Sequence, residues 1–200
     1  MRYNPEIHRR RSIRIKGYDY ARSGSYFITL CTRDRECWFG EVVNGTVQLS
    51  PIGKAACDCW LQIPLHFPNA VLDEFVVMPN HIHGIVNMVD PRRGVKFNAP
   101  TKPGNFYSLI SPKDGTLSVV IRTYKSAVTR WCRQNGFDHF QWQRNYYEHI
   151  IRNETDMNKI RQYILDNPRK WDEDDENPYK EKQNPHRTRR DVMYNASTKT

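Results

Sequence analysis

Two histidines separated by one residue, in the stretch MPNHIHGIV, are the first chemical signal in this chain. The flanking pattern reads as a β-strand, in which alternate residues face one side with Cα atoms roughly 6.5–7 Å apart. His81 and His83 then share a face while Ile82 turns into packing. Two such imidazoles can converge on one metal ion, or can serve as ordinary hydrogen-bonding residues of a half-exposed strand. The second signal is IRQYILDNP, where Tyr163 and Asn167 stand one helical turn apart and stack on one face. A tyrosine hydroxyl can attack phosphorus, and an asparagine carbonyl is a neutral oxygen ligand for a hard cation. Both also have plainer uses, since Tyr163 adjoins the apolar positions Ile160 and Ile164, and asparagine is common before a proline at a helix end. The third signal, QWQRNYYEHIIR, interleaves Trp142, Tyr146 and Tyr147 with Arg144, His149 and Arg152. That mixture suits stacking on unpaired bases and pairing with phosphates, or aromatic packing within a strand.

The elements that must position these groups follow from periodicity and turn chemistry. Residues 25–32 are rich in aromatic and β-branched side chains and read as a strand, and 37–49 reads as a hairpin about Asn44-Gly45. Ser50-Pro51 opens a helix whose apolar positions run from Ile52 to Ile63, ending at Pro64. Residues 71–78 and 81–89 form a strand pair joined by Pro79-Asn80. Leu117, Val120, Ile121, Tyr124, Val128 and Trp131 mark a second helix, closed by Asn135-Gly136, with Arg122, Lys125, Arg130 and Arg133 among its other positions. Residues 140–151 read as extended. Asn153 caps a third helix, with Glu154 and Asp156 in its first turn and Pro168 as its stop. This order predicts an α+β fold, helices packed on an antiparallel sheet.

The chain has 200 residues, of which 38% are hydrophobic, enough for one domain with a real core. A basic arm is expected over 1–23, one domain over 24–171 with a long loop at 90–115, and a flexible charged tail over 172–200. A net charge of +9 favours a polyanionic partner, nucleic acid first, although a merely soluble basic protein has the same balance. The five cysteines are odd in number and lack paired Cys-x-x-Cys spacing, which indicates neither a disulfide framework nor a zinc ribbon. No apolar run approaches the roughly 20 residues of a membrane span, and the first residues lack the apolar core of a signal peptide. A cytoplasmic protein is expected, with no membrane partner.

Three motifs in order, Met78-Pro79-Asn80-His81-Ile82-His83, Tyr147-Glu148-His149-Ile150-Ile151-Arg152, and Tyr163 followed by Asn167-Pro168, resemble those of the REP-associated tyrosine transposases. These are relatives of the single-strand transposases of insertion sequences, and the resemblance spans about residues 12–176. It implies a ferredoxin-like antiparallel sheet of the HUH single-strand transposase type, working in the bacterial cytosol or nucleoid. It implies that His81 and His83 bind a divalent metal, Mg²⁺ or Mn²⁺, that Tyr163 is the nucleophile and that Asn167 takes the third ligand place. In the insertion-sequence branch a glutamine usually stands there, so the asparagine points to the REP-associated branch. The implied substrate is single-stranded or hairpin DNA with REP-like palindromes, nicked and rejoined through a 5′-phosphotyrosine. Arg9, Arg10, Arg11, Arg14, Arg122, Lys125, Arg130, Arg144, His149 and Arg152 are the expected DNA contacts. Two rival readings stay open: a domesticated protein that grips hairpin DNA or RNA without cutting, and a metal-dependent hydrolase in which Tyr163 only packs. A monomer and a homodimer are equally compatible with the sequence.

Overall fold

The computed structural model describes residues 23–89 and 115–180. The arm up to residue 22, with Arg9, Arg10, Arg11 and Arg14, lies outside the described residues, as do 90–114 and 181–200.

Strand β1 (Gly24–Cys31) is followed by the hairpin β2 (Gly40–Val43) and β3 (Thr46–Leu49). The hairpin turns on Asn44 and Gly45 at φ 51° and 72°, the left-handed pair that a tight two-residue connection requires. Helix α1 (Pro51–Leu61) starts at Ser50, whose hydroxyl accepts from the Gly53 N–H at 3.0 Å. Pro64 does more than stop this helix: it sits in the first turn of a short α2 (Ile63–His66), where its missing N–H costs nothing. Next come β4 (Ala70–Val77), β5 (His81–Met88), α3 (Leu117–Gln134), β6 (Tyr147–Ile151) and α4 (Glu154–Asp166). The extended segment expected over 140–151 is a strand only from Tyr147, preceded by a single bridge between Trp142 and Thr32.

The main sheet has the order β4-β5-β1-β6, every neighbouring pair antiparallel. With β2 and β3 set aside as a separate ribbon, the sequence strand, helix, two strands, helix, strand in this spatial order is the ferredoxin-like arrangement. Two-residue alternation divides the side chains between the faces. Tyr26, Ile28 and Leu30 of β1 and Ile82 and Val86 of β5 join Trp60 of α1 and Tyr124 and Val128 of α3 in the larger core. Trp60 presses so closely on β5 that a Cβ at Gly84 would lie 2.3 Å from its Cζ2, so only glycine fits there. Phe27, Ile85 and Ile151 face the other way, against Met157 and Ile164 of α4. His81 and His83 share the parity of Ile85 and therefore lie under α4.

Asn153 caps α4 through its Oδ1, which accepts from the Asp156 N–H at 2.8 Å. An irregularity between Leu72 and Phe75 resets the alternation of β4 and turns Asp73 towards α4. Asp73 there takes a fork from Arg161, Nε to Oδ1 at 2.9 Å and Nη2 to Oδ2 at 2.7 Å. Beyond α4 the chain tightens into a 3-10 segment, Asn167–Glu173, and then folds back. Residues 172–180, expected within the charged tail, pack against the body in the structure, with Asp174 and Asn177 buried.

Candidate metal and nucleophile site

The two histidines are 0% and 3% exposed, with ring centroids 4.4 Å apart. His81 Nδ1 lies 2.8 Å from Asn80 Oδ1. The Asn80 amide nitrogen donates to the carbonyls of Arg35 at 3.0 Å and Glu176 at 2.7 Å, which fixes the amide with its oxygen towards the imidazole. His81 therefore carries its proton on Nδ1 and presents a lone pair at Nε2, an atom that is buried and has no hydrogen-bond partner. His83 Nδ1 meets Thr29 Oγ1 at 2.9 Å, and its Nε2 meets the Tyr163 hydroxyl at 3.2 Å. Burial drives the His81 pKa down to about 3, with the Arg35 charge adding to the effect. His83 is depressed by burial and by His81, with Asp174 pulling the other way. Both rings are neutral at ordinary pH, the state that a metal ligand needs.

The third member of the cluster is Asp174, whose Oδ2 lies 3.8 Å from His81 Nε2. One ligand atom from each of His81, His83 and Asp174 falls within 4.8 Å of the others. The carboxylate is held by the Glu176 N–H, which donates to Oδ1 at 2.7 Å, and by the Asn167 amide nitrogen, which donates to Oδ2 at 2.9 Å. Asn167 is thereby brought to the same cluster, and its own Oδ1 is buried without a partner. Buried polar atoms left unpaired are rare and cost about 1–3 kcal/mol each. Here two of them are acceptors in one cluster, and a lone pair faces a carboxylate with no proton between them. That pairing is repulsive unless a cation is shared, so the donor set fits a divalent metal.

Tyr163 is 47% exposed as a residue while its hydroxyl turns inward to His83. The ring packs edge-on to Phe27, with centroids 5.9 Å apart. Burial of the hydroxyl, then the carboxylates of Asp174, Asp175 and Glu176, push the phenol above its usual range, and a hydrogen bond from Asn167 opposes them. The returning segment is strapped to the strand ends. Arg35 Nε pairs with Glu176 Oε2 at 3.1 Å, and the Cys31 thiol donates to the same oxygen at 3.5 Å.

Asp174 leaves no signal in the sequence, because one candidate ligand among the acids of 172–176 carries no pattern of its own. The expected DNA contacts are dispersed. His149 lies on the α4 face and pairs with Asp156 at 3.0 Å, while Arg122 and Arg152 are exposed elsewhere. Arg130 and Arg144 line a common groove with Arg133 and Trp142. Lys125 borders that groove but is engaged, its Nζ donating to the carbonyls of Gln143 at 2.9 Å and Asn145 at 3.0 Å. Among the described residues no helix is long and apolar enough to cross a membrane.

The four-stranded antiparallel sheet with helices packed on it is a fold shared with a solved tyrosine transposase. Among solved structures the chain is similar to a REP-associated tyrosine transposase bound to a REP hairpin, at 21% identity and a TM-score of 0.53, over 80% of this chain and 74% of that one. A weaker likeness, at 16% identity and a TM-score of 0.36 over 77% and 96% of the two chains, is to a candidate transposase from Deinococcus radiodurans. In sequence the chain is 43% identical over 176 residues to an uncharacterized protein of Haemophilus influenzae, covering 86% of this chain and 96% of that protein. The chain belongs to one family with that Haemophilus influenzae protein. No family model matches it.

Proposed function

We propose that this chain is a metal-dependent transferase of single-stranded DNA that nicks and rejoins hairpin-flanked strands through a 5′-phosphotyrosine. The observation that carries this reading is the Tyr163 hydroxyl 3.2 Å from His83 Nε2, inside the cluster that holds the unpaired His81 Nε2 and Asn167 Oδ1. Two neutral imidazoles, the Asp174 carboxylate and the Asn167 amide oxygen would hold Mg²⁺ or Mn²⁺. Such a cation, when bound, polarises a non-bridging phosphate oxygen and neutralises charge that develops in the transition state.

The chain's own residues supply the rest. Asn80 and Thr29 fix the ring orientations of His81 and His83, as partners behind a metal ligand do. Phe27 holds the Tyr163 ring so that its oxygen is aimed before substrate arrives. In the chemical step Tyr163 Oη bonds to phosphorus, the bond from phosphorus to the 3′ oxygen breaks, and the phenolic proton is balanced by the proton gained on the leaving 3′-hydroxyl. The phosphodiester is conserved in the enzyme link, so a second 3′-hydroxyl reverses the step and joins DNA without ATP. The net charge of +9 and the hairpin bound by the solved structural neighbour support hairpin DNA as the partner.

The test uses wild-type protein, Mn²⁺ and a hairpin labelled on the 3′ side of the break. A protein-linked band on a denaturing gel, with the phosphodiester on the peptide containing Tyr163, is the expected result, and Tyr163→Phe abolishes it with hairpin affinity nearly unchanged. Cleavage without an adduct would establish the hydrolase reading, and binding without cleavage the domesticated one. A robust adduct on the Phe variant would move the search to Tyr146 and Tyr147.

A further inference from the structure

On the face of the sheet opposite His81 and His83, helix α3 and the segment after Phe140 border an open groove of about 700 Å³, lined by Lys125, Thr129, Arg130, Arg133, Trp142 and Arg144 among others. We infer that this groove binds the sugar–phosphate backbone of the single strand flanking the cleavage site, an inference that rests on the strand-transfer reading above.

Its charge is the first argument. Arg130 and Arg133 lie three apart on α3 and so share a face, and Arg144 stands on the opposing wall. All three are exposed, and among the described residues none of them has a carboxylate within salt-bridge distance and no acidic side chain lines the groove. Three unneutralised guanidiniums around one cleft call for an anion with several charges, and guanidinium forks match phosphate oxygens in geometry.

The wall is also built in advance. Lys125 clamps the carbonyls of Gln143 and Asn145, and the Trp142 indole N–H donates to the Lys125 carbonyl at 3.1 Å. The Lys125 ammonium lies 5.4 Å from the centre of the Trp142 ring. Arg144 is therefore carried on a stretch tied to α3 at several points, so little ordering has to be added on binding.

Position supplies the third argument. The Gln143 N–H donates to the Cys31 carbonyl at 2.9 Å, and Cys31 is the register partner of His81. The Arg33 N–H in turn donates to the Gln141 carbonyl at 2.8 Å. The groove and the metal cluster thus occupy the same end of the sheet on opposite faces, separated by the 141–143 edge. A strand leaving Tyr163 can round that edge and lay its phosphates between Arg130, Arg133 and Arg144. At about 700 Å³ the groove has room for nucleotide units of an unpaired strand.

The experiment compares binding of one hairpin with and without a single-stranded oligothymidine flank, by fluorescence anisotropy over a series of KCl concentrations. Wild-type protein gains affinity from the flank. The triple variant Arg130→Gln, Arg133→Gln, Arg144→Gln loses that gain, and its salt slope on the flanked hairpin falls by about 0.7 per lost phosphate contact, about 2 in all. Affinity for the blunt hairpin stays as in wild type, and thermal melting confirms the fold, because the three side chains are exposed. Arg144→Gln alone gives a partial loss. No flank gain in wild type, or a flank gain that survives in the triple variant, overturns the assignment, and an equal loss on the blunt hairpin shows that the groove holds duplex instead. Loss of the flank gain with no wild-type adduct keeps the groove and sinks strand transfer, whereas an adduct with the flank gain intact in the variant does the reverse.

Discussion

Asn80→Ala should damage the proposed metal site without removing any candidate ligand. The side chain is buried and makes three bonds, from its oxygen to His81 Nδ1 at 2.8 Å and from its nitrogen to the carbonyls of Arg35 at 3.0 Å and Glu176 at 2.7 Å. At about 0.5–1.5 kcal/mol each, their loss is worth about 3 kcal/mol of stability. For a chain of this size that lowers Tm by about 6–12 °C. The His81 imidazole, freed from its acceptor, can also move its proton to Nε2 and hide the lone pair. Loss of such a supporting partner weakens metal affinity about 10–100-fold. Calorimetric titration with Mn²⁺ and cleavage rates against Mn²⁺ concentration measure the effect, and saturating Mn²⁺ should restore most of the rate. Asn80→Asp, which keeps an acceptor for His81 but makes neither donation, should retain more metal affinity than Asn80→Ala while losing the tie to Glu176. Wild-type Mn²⁺ affinity in Asn80→Ala at a temperature well below its Tm would refute the account of how His81 is oriented.

Chelation should stop cleavage, and Asp174→Ala should weaken Mn²⁺ binding more than Asn80→Ala does; His81→Ala cleaving at the wild-type rate in excess Mg²⁺ would remove the metal site from consideration. Gly84→Ala places a Cβ 2.3 Å from Trp60 Cζ2 and should cost about 1–3 kcal/mol, read as a lowered denaturation midpoint. The Asp73 carboxyl is held below its usual range, chiefly by the hydrogen bonds from Arg161, against a smaller opposing effect of burial. Because its folded pKa is depressed, its stabilisation is complete above the unfolded value of about 4 and is lost as pH falls through the folded one. The Tm difference between wild type and Asp73→Asn should therefore be steady near neutrality and shrink in acid, and a difference that grows in acid would contradict the assignment.

The parts of the site that were legible in the chain are those governed by local periodicity. His81 and His83 share a face because strands alternate, and the caps at Ser50 and Asn153 follow from side chains that reach their own backbone. Tyr163 reaches the histidines because α4 must lay its Ile160 and Ile164 side on the sheet, which leaves the neighbouring position at the edge of the contact. Asp174 was not legible. Its place depends on the 3-10 turn after Pro168 and on backbone bonds from Glu176, none of which leaves a repeat in the sequence. Lys125 is an expected DNA contact in the sequence, and only tertiary structure shows its ammonium spent on two carbonyls.

The strap formed by 174–177 also extends the cluster beyond the sequence motifs. A chain ended at Trp171 would keep the tyrosine and both histidines, yet would lose the Asp174 carboxylate, the Glu176 carbonyl that holds the Asn80 amide, and the acceptor of Arg35. Every sequence motif would survive that cut, while the inventory of interactions around the cluster would not. The set of interactions around the cluster is thus longer than the motifs and reaches to Asn177, whose side chain ties the strap to the Trp171 carbonyl at 2.9 Å.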